Sequence, residues 1–203
     1  LAADNHPSYM RLIRKGFTTV YADGSEFEIG KGVTLKTGTD VTIIASGILV
    51  DEALKAEEQL AKEGISARVI DMHTWKPLDE ELVIKAAQET GCIVTAENHQ
   101  VSCGLGSAVA NVLTEKCLVP LERIGIQNRF GQVGPQDFLM KEYNLTAEDI
   151  AAAAKKGDRA QKITAHSGSF HPNCRILPEF RRDPVLLYAA DRRAEVSPES
   201  SCH

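Results

Sequence analysis

The chain has 203 residues, enough for one domain of ordinary size, or one domain carrying a remnant or a tail. Hydrophobic residues make up 43% and charged residues 25%, both near the averages for soluble globular proteins, and no run of roughly eighteen apolar residues offers a membrane span. A formal charge of −5 leaves no basic field to hold a phosphate backbone, which argues against nucleic-acid binding.

Residues 8–15 (SYMRLIRK) alternate like a strand, and the segment GFTTVYADGSEF separates them like a linker from the rest of the chain. Residues 1–24 are therefore read as the last strand of a preceding domain plus a linker. Residues 27–35 (FEIGKGVTL) are a candidate edge strand. From Asp40 the pattern becomes regular. VTIIAS (41–46) is a β-branched run, and Gly47 turns it into a helix with Leu49, Ala53, Ala56, Leu60 and Ala61 at helical spacing. Asp51 and Glu52 lie in the first turn and Lys62 in the last, as the helix dipole favours, and Gly64 stands where a helix C-terminus needs a left-handed residue.

ARVIDM (67–72) is the next strand. Pro77 forbids helix in the loop HTWKPLD, and Asp79 is placed to cap a helix running from Glu80 to about Thr90, which Gly91 ends. CIVTAE (92–97) reads as a strand, SAVANVLTEKC (107–117) as a helix and LERIGI (121–126) as a strand. Two helices come next, near 135–143 and 147–155, the second with Thr146 as N-cap. Apolar strands alternating with amphipathic helices predict an α/β fold with a mostly parallel sheet covered on both faces. Residues 157–203 mix Ser, Pro, Arg and His without periodicity. They are read as a disordered tail or as a segment of artefactual origin.

In such a sheet, ligands meet the carboxyl ends of strands near a switch in strand order. Those ends are predicted at Ser46-Gly47, Asp71-Met72-His73, Glu97-Asn98-His99 and Gly125. Glu97 with His99, and Asp71 with His73, could pair a carboxylate with an imidazole for proton transfer, although such residues at strand ends more often bond to loop backbone or to a partner subunit. CGLGSA (103–108) opens a helix whose amides could hold an anion. Val109 stands where a third glycine of a dinucleotide fingerprint would fall, so close packing of helix on strand is the favoured role of these glycines. Ser102 and Cys103 have no assigned base. Five cysteines form neither a CxxC pair nor metal-ligand spacing, as in a protein with reduced thiols, and Cys92 and Cys117 read as small core hydrophobes. With no initiator Met and no secretory leader, the expectation is a cytoplasmic piece of a longer polypeptide. Arg11 and Arg14 are the basic groups on the isolated N-terminal strand, where solvent exposure is their simplest role.

Taken in order, KGVTLKTGTDVTIIASG, ARVIDMHTWKPLD, GCIVTAENHQVSCGLGSAVANVL, PLERIGIQNRFGQVG and EYNLTAEDIAAAAKK resemble the successive blocks of the transketolase C-terminal domain, most closely that of split transketolases. Deoxyxylulose-phosphate synthases and 2-oxoacid dehydrogenase beta subunits are more distant relatives. The resemblance covers about residues 8–156. It implies a three-layer α/β/α sandwich on a five-stranded sheet whose first strand is antiparallel, with residues 25–156 as the domain. It also implies an enzyme that moves a two-carbon ketol unit between sugar phosphates, using thiamine diphosphate and a divalent metal bound outside these 203 residues. The implied partners are an N-terminal transketolase section or domains of the same chain, in a homo-oligomer. No catalytic, cofactor or metal-ligating residue is assigned to this stretch. In SYMRLIR the resemblance places a substrate-phosphate arginine at Arg14, with Arg11 as the alternative register, and a guanidinium suits that role because it donates two parallel hydrogen bonds. Cys103 departs from the family's glycine at that point. The competing expectation is a free-standing interaction or regulatory domain.

Overall fold

A computed structural model describes residues 5–13, 16 and 18–166. Contacts divide the chain into Leu1–Pro172 and Asn173–His203, and the second unit lies wholly outside the described residues. The elements in chain order are β1 (Val33–Lys36), β2 (Val41–Ala45), α1 (Leu49–Lys62), β3 (Ala67–Asp71), α2 (Glu80–Thr90), β4 (Ile93–Gln100), α3 (Leu105–Lys116), β5 (Leu121–Ile126), α4 (Gln136–Glu142) and α5 (Ala147–His166).

The strands form one sheet in the order β1-β3-β2-β4-β5. β1 runs antiparallel to β3, and the other pairings are parallel. Every residue of β2 is buried, as a β-branched run must be when its strand is central and both faces are covered. Val41, Ile43 and Ala45 join Val69, Val94 and Ala96 in a core closed by Leu49, Ala53 and Leu60 of α1 and by Ile150, Ala151 and Ala154 of α5. By the pleat, Thr42 and Ile44 face the opposite side, where α2 and α3 pack, and there the Thr42 hydroxyl meets that of Thr90 at 2.9 Å. The arrangement is the expected α/β/α sandwich on a mostly parallel five-stranded sheet.

The helix ends obey the local chemistry. Asp79 accepts from Leu82 N–H at 3.1 Å and also from Gly32 N–H at 3.0 Å, so one carboxylate caps α2 and fastens the chain ahead of β1. Gly91 ends α2 with φ +64°. Asp149 Oδ2 reaches back to accept the Thr146 N–H at 3.1 Å and its hydroxyl at 2.7 Å, the side-chain half of a capping box at the start of α5.

Residues 8–13 pair with no strand among the described residues, and the partner expected for them belongs to a preceding domain. Three expectations need correction. β4 runs on to Gln100 because its end pairs again with β5 beyond an irregularity. α3 begins two residues early, at Leu105. α5 continues eleven residues past 155, to His166. Gly157 does not break α5, since it is buried on the same stripe as Ala151 and Ala154, and its lack of a Cβ lets the helix lie directly against the Cys92 sulfur.

A buried carboxylate at the switch in strand order

From β2 the chain moves to β3 on one side of the sheet, and from β4 to β5 on the other. The carboxyl ends of β2 and β4 therefore flank the point where a doubly wound sheet offers a crevice. At that end β4 is bulged. Ala96 pairs with Ile124 and Gln100 with Ile126, so four residues of advance on β4 face two on β5. Bulges of this kind turn side chains out of the ladder's regular alternation.

Glu97 lies inside the bulge with no exposure to solvent. Its Oε2 accepts the Leu105 N–H at 2.7 Å and its Oε1 the Gly106 N–H at 2.8 Å, so the carboxylate sits on the first amides of α3. Those amides carry the positive end of the helix dipole, and an anion there is stabilised. The amides of the glycine-rich loop are thus taken by a carboxyl side chain of the same domain. The loop's glycines are sterically required. A Cβ on Gly104 would collide with Glu97 Oε2, and one on Gly106 would come within 2.9 Å of Thr95 Oγ1 and 3.1 Å of Glu97 Oε1. Burial pushes the Glu97 carboxyl above the usual glutamate range, against the opposing pull of the Gly106 and Leu105 amides and of the His99 and Arg123 charges.

Neither candidate carboxylate–imidazole pair is hydrogen-bonded; Glu97, His99 and His73 bond to backbone instead, the role the sequence favoured for such residues. His99 Nδ1 meets the Gln100 carbonyl at 3.0 Å, and its ring stands edge-on to Trp75 at 5.6 Å. Asp71, 6% exposed, accepts the Tyr21 hydroxyl at 2.7 Å on Oδ2, and its Oδ1 has no hydrogen-bond partner among the described residues. His73 Nε2 lies 3.2 Å from the Glu28 carbonyl, and its ring packs on Phe27. Burial raises the Asp71 carboxyl above its usual value, while the Tyr21 bond and the His73 charge oppose the shift; burial and Asp71 together push the Tyr21 phenol upward. Tyr21 is the residue that sequence reasoning missed, because its segment reads as a linker. The available signal was a pair of aromatics, Tyr21 and Phe27, flanking the Gly24 turn; their rings meet edge to face at 4.7 Å.

Ser102 donates to Asn128 Oδ1 at 2.8 Å, and the Cys103 N–H donates to Ser107 Oγ at 3.0 Å. Cys103 holds φ +64°, the left-handed conformation that explains a glycine preference at this position. Gly125, at the end of β5, abuts the His99 carbonyl and Glu97. Arg11 donates to the Asn98 carbonyl, which fastens the N-terminal segment to the β4 bulge. Arg14 lies outside the described residues.

The described residues do not suit a diphosphate-bearing cofactor at the switch point. The α3 amides that would hold a phosphate already hold the Glu97 carboxyl. Among the described residues no cluster of three His, Cys, Asp or Glu side chains could hold a metal ion.

Comparison with known proteins assigns the architecture. The family described as "Transketolase, C-terminal domain" matches residues 30–150. A 6-deoxy-6-sulfo-D-fructose transketolase subunit from Clostridium sp. (strain MSTE9) is 48% identical over 154 residues, which cover 76% of this chain and 48% of that protein. A 1-deoxy-D-xylulose-5-phosphate synthase from Geobacter sulfurreducens is 45% identical over 132 residues, 64% of this chain and 21% of that enzyme. A solved structure of a split gene transketolase, an inactive beta4 tetramer, superposes with a TM-score of 0.70 at 46% identity, covering 73% of this chain and 48% of that one. The chain thus spans about half the length of the subunit and of the solved chain, and about a fifth of the synthase. With the sheet order, the antiparallel first strand and these matches in agreement, the chain belongs to the transketolase C-terminal domain family.

Proposed function

We propose that this chain is the C-terminal part of a thiamine diphosphate-dependent transketolase that moves a two-carbon ketol unit between sugar phosphates. In this reading thiamine diphosphate and a divalent metal bind on an N-terminal section, and this domain contributes assembly surface. Residues 1–24 close the preceding domain, and Arg14 there contacts a substrate phosphate. The enzyme is a cytoplasmic oligomer that includes the N-terminal section. The carrying observation is the Glu97 carboxylate on the α3 amides: the fold's usual ligand position is taken by the domain itself, which fits a part that supports a reaction carried out elsewhere. Similarity to a transketolase subunit and to a split gene transketolase supports the same reading. Among the described residues no helix is long and apolar enough to cross a membrane.

The test is to supply the purified chain with thiamine diphosphate, magnesium and ketose and aldose phosphates, alone and with a transketolase N-terminal section. The chain alone should give no ketol transfer and should bind the section. Turnover by the chain alone, or failure to bind any such section, would overturn the reading. Restoring the complete subunit upstream of Leu1 should be needed for full activity, because the group that activates the cofactor's pyrimidine is expected in the preceding domain.

A further inference from the structure

The segment ahead of β1 reads as a linker, yet it is tied to three neighbouring elements at one end of the sheet. Arg11 donates to the Asn98 carbonyl at the β4 bulge. Thr18 donates its hydroxyl to Asp51, in the first turn of the helix that β2 feeds, at 3.0 Å. Tyr21 donates its hydroxyl to Asp71, at the end of β3, at 2.7 Å. β4, β2 and β3 are adjacent in that order, so the tethers advance across the carboxyl end of the sheet and past its switch in strand order. Val20 packs on the apolar core. A turn then reverses the chain. Gly24 holds φ +83°, and Ser25 gives both its N–H and its hydroxyl to the Ala22 carbonyl, at 3.2 and 2.8 Å. The turn brings Phe27 edge-on to the Tyr21 ring at 4.7 Å and to the His73 ring at 5.2 Å.

The three tethers are not equal. Those of Arg11 and Thr18 are exposed, where water competes for the same groups, whereas that of Tyr21 is part-buried. Asp71 in turn depends on Tyr21. Among the described residues the Tyr21 hydroxyl is the donor its Oδ2 has, and its Oδ1 has none. A buried carboxyl without donors must be hydrated, and lifting the segment that carries Tyr21 and Phe27 lets water reach it. We propose that residues 18–27 form a strap latched by the Tyr21 hydroxyl on Asp71, which closes over the carboxyl end of β3 and holds the Arg11 segment beside the switch point. Strap and carboxyl make one two-state unit. Closed, Asp71 has its donor from Tyr21; open, it has water. The device is independent of the reaction in which the complete protein takes part.

The experiment is backbone nitrogen NMR relaxation of the 203-residue chain, wild type against Tyr21→Phe, which keeps the ring and removes the hydroxyl. In the wild type the amides of residues 18–27 should give order parameters near the rigid value of about 0.85, and in the variant they should fall to about 0.6 or below. Residues 11–13 should lose order in the same variant, because the exposed Arg11 bond does not hold them alone. The amides of β2 and β4 should stay rigid, which shows that the sheet is intact. Asp71→Asn keeps an acceptor for the Tyr21 hydroxyl and should leave the strap ordered. In Tyr21→Phe/Asp71→Ala no carboxyl remains to be hydrated, so the strap should regain at least about half of the order lost in Tyr21→Phe. A wild-type strap that is already loose, or one that stays ordered in Tyr21→Phe, overturns the proposal. So does a strap that loosens while residues 11–13 keep their order, or a double variant as loose as Tyr21→Phe.

Discussion

Glu97 and Gly106 meet across the start of α3, carboxylate Oε1 to backbone N–H at 2.8 Å, with Oε2 bonded to the neighbouring Leu105 N–H. The contact leaves no room at Gly104, where a Cβ would strike Oε2. Gly104→Ala should therefore lower stability by about 1–3 kcal/mol, the usual range for overpacking. Glu97→Gln turns an acceptor into a donor facing a backbone N–H and should cost about 1–3 kcal/mol. Urea denaturation measures both. In the Gly104→Ala/Glu97→Ala double variant the alanine at 104 should cost less than it does alone; strict additivity would show that the two residues do not collide.

The pH dependence of stability should carry the signature of Asp71. Its folded carboxyl titrates above the ordinary 3.8, so the native state keeps a proton that the unfolded chain has released. The stability this group contributes is full at low pH and is lost as pH rises from 3.8 through the raised folded value. Asp71→Asn retains an acceptor for the Tyr21 hydroxyl and removes the proton linkage. Its stability relative to wild type should climb with pH across that window, by no more than about 1.4 kcal/mol per pH unit for one proton. Urea unfolding of both proteins between about pH 4 and pH 7 decides it, and parallel curves would rule the linkage out.

Gly157 makes a prediction opposite in sign to helix propensity. In an exposed helix Gly→Ala gains about 1 kcal/mol. In α5 the added methyl would run into the Cys92 sulfur, so Gly157→Ala should instead destabilise, by about 1–3 kcal/mol. Cys92→Ala removes that sulfur, and a double-mutant cycle should return most of the loss. The same burial pushes the Cys92 thiol up to about 12, with the Asp158 and Glu122 charges adding to it, so Cys92 should resist thiol reagents in the folded chain near neutral pH.

Cys103 carries a side chain where the backbone is left-handed. Cys103→Gly should stabilise by roughly 0.5–1 kcal/mol, the relief of the φ penalty less the greater freedom of glycine in the unfolded chain. A rise in melting temperature is the readout. The Ser107 hydroxyl bond is to the backbone N–H at 103 and should survive the change.

If Arg14 contacts substrate phosphate in the complete enzyme, Arg14→Ala should raise KM for phosphorylated sugars by about tenfold or more while leaving binding of an unphosphorylated analogue unchanged. Arg11→Ala should do neither, because Arg11 is engaged with the Asn98 carbonyl. Equal effects of both changes on both substrates would take Arg14 out of the phosphate site.

The alternation of strands and helices was legible in the chain because its signals act over a few residues. VTIIA is buried throughout, Asp79 caps the helix it precedes, and Gly91 takes the left-handed conformation that stops α2. The length of α5 was not legible, because a buried glycine and a breaking glycine are the same letter; only the nearness of Cys92 tells them apart. The extent of β4 was hidden for a similar reason, since its last residue belongs to the strand only through pairing with Ile126.

The candidate site divides along the same line. Residue order alone placed Glu97, His99, Asp71 and His73 at strand ends, because period and strand length locate those ends. It also made each carboxylate a neighbour of an imidazole two positions on. Residues two apart on a strand share a face about 6.6 Å apart, within reach of long side chains, so spacing alone does not decide whether they bond. A buried carboxylate must find donors all the same, and which donors arrive depends on the segments that close over it. For Glu97 these are the α3 amides, and for Asp71 the hydroxyl of Tyr21, 50 residues away in sequence. The tertiary fold made that choice, because burial and hydrogen-bond partners are properties of the assembled layers and not of any short stretch of chain.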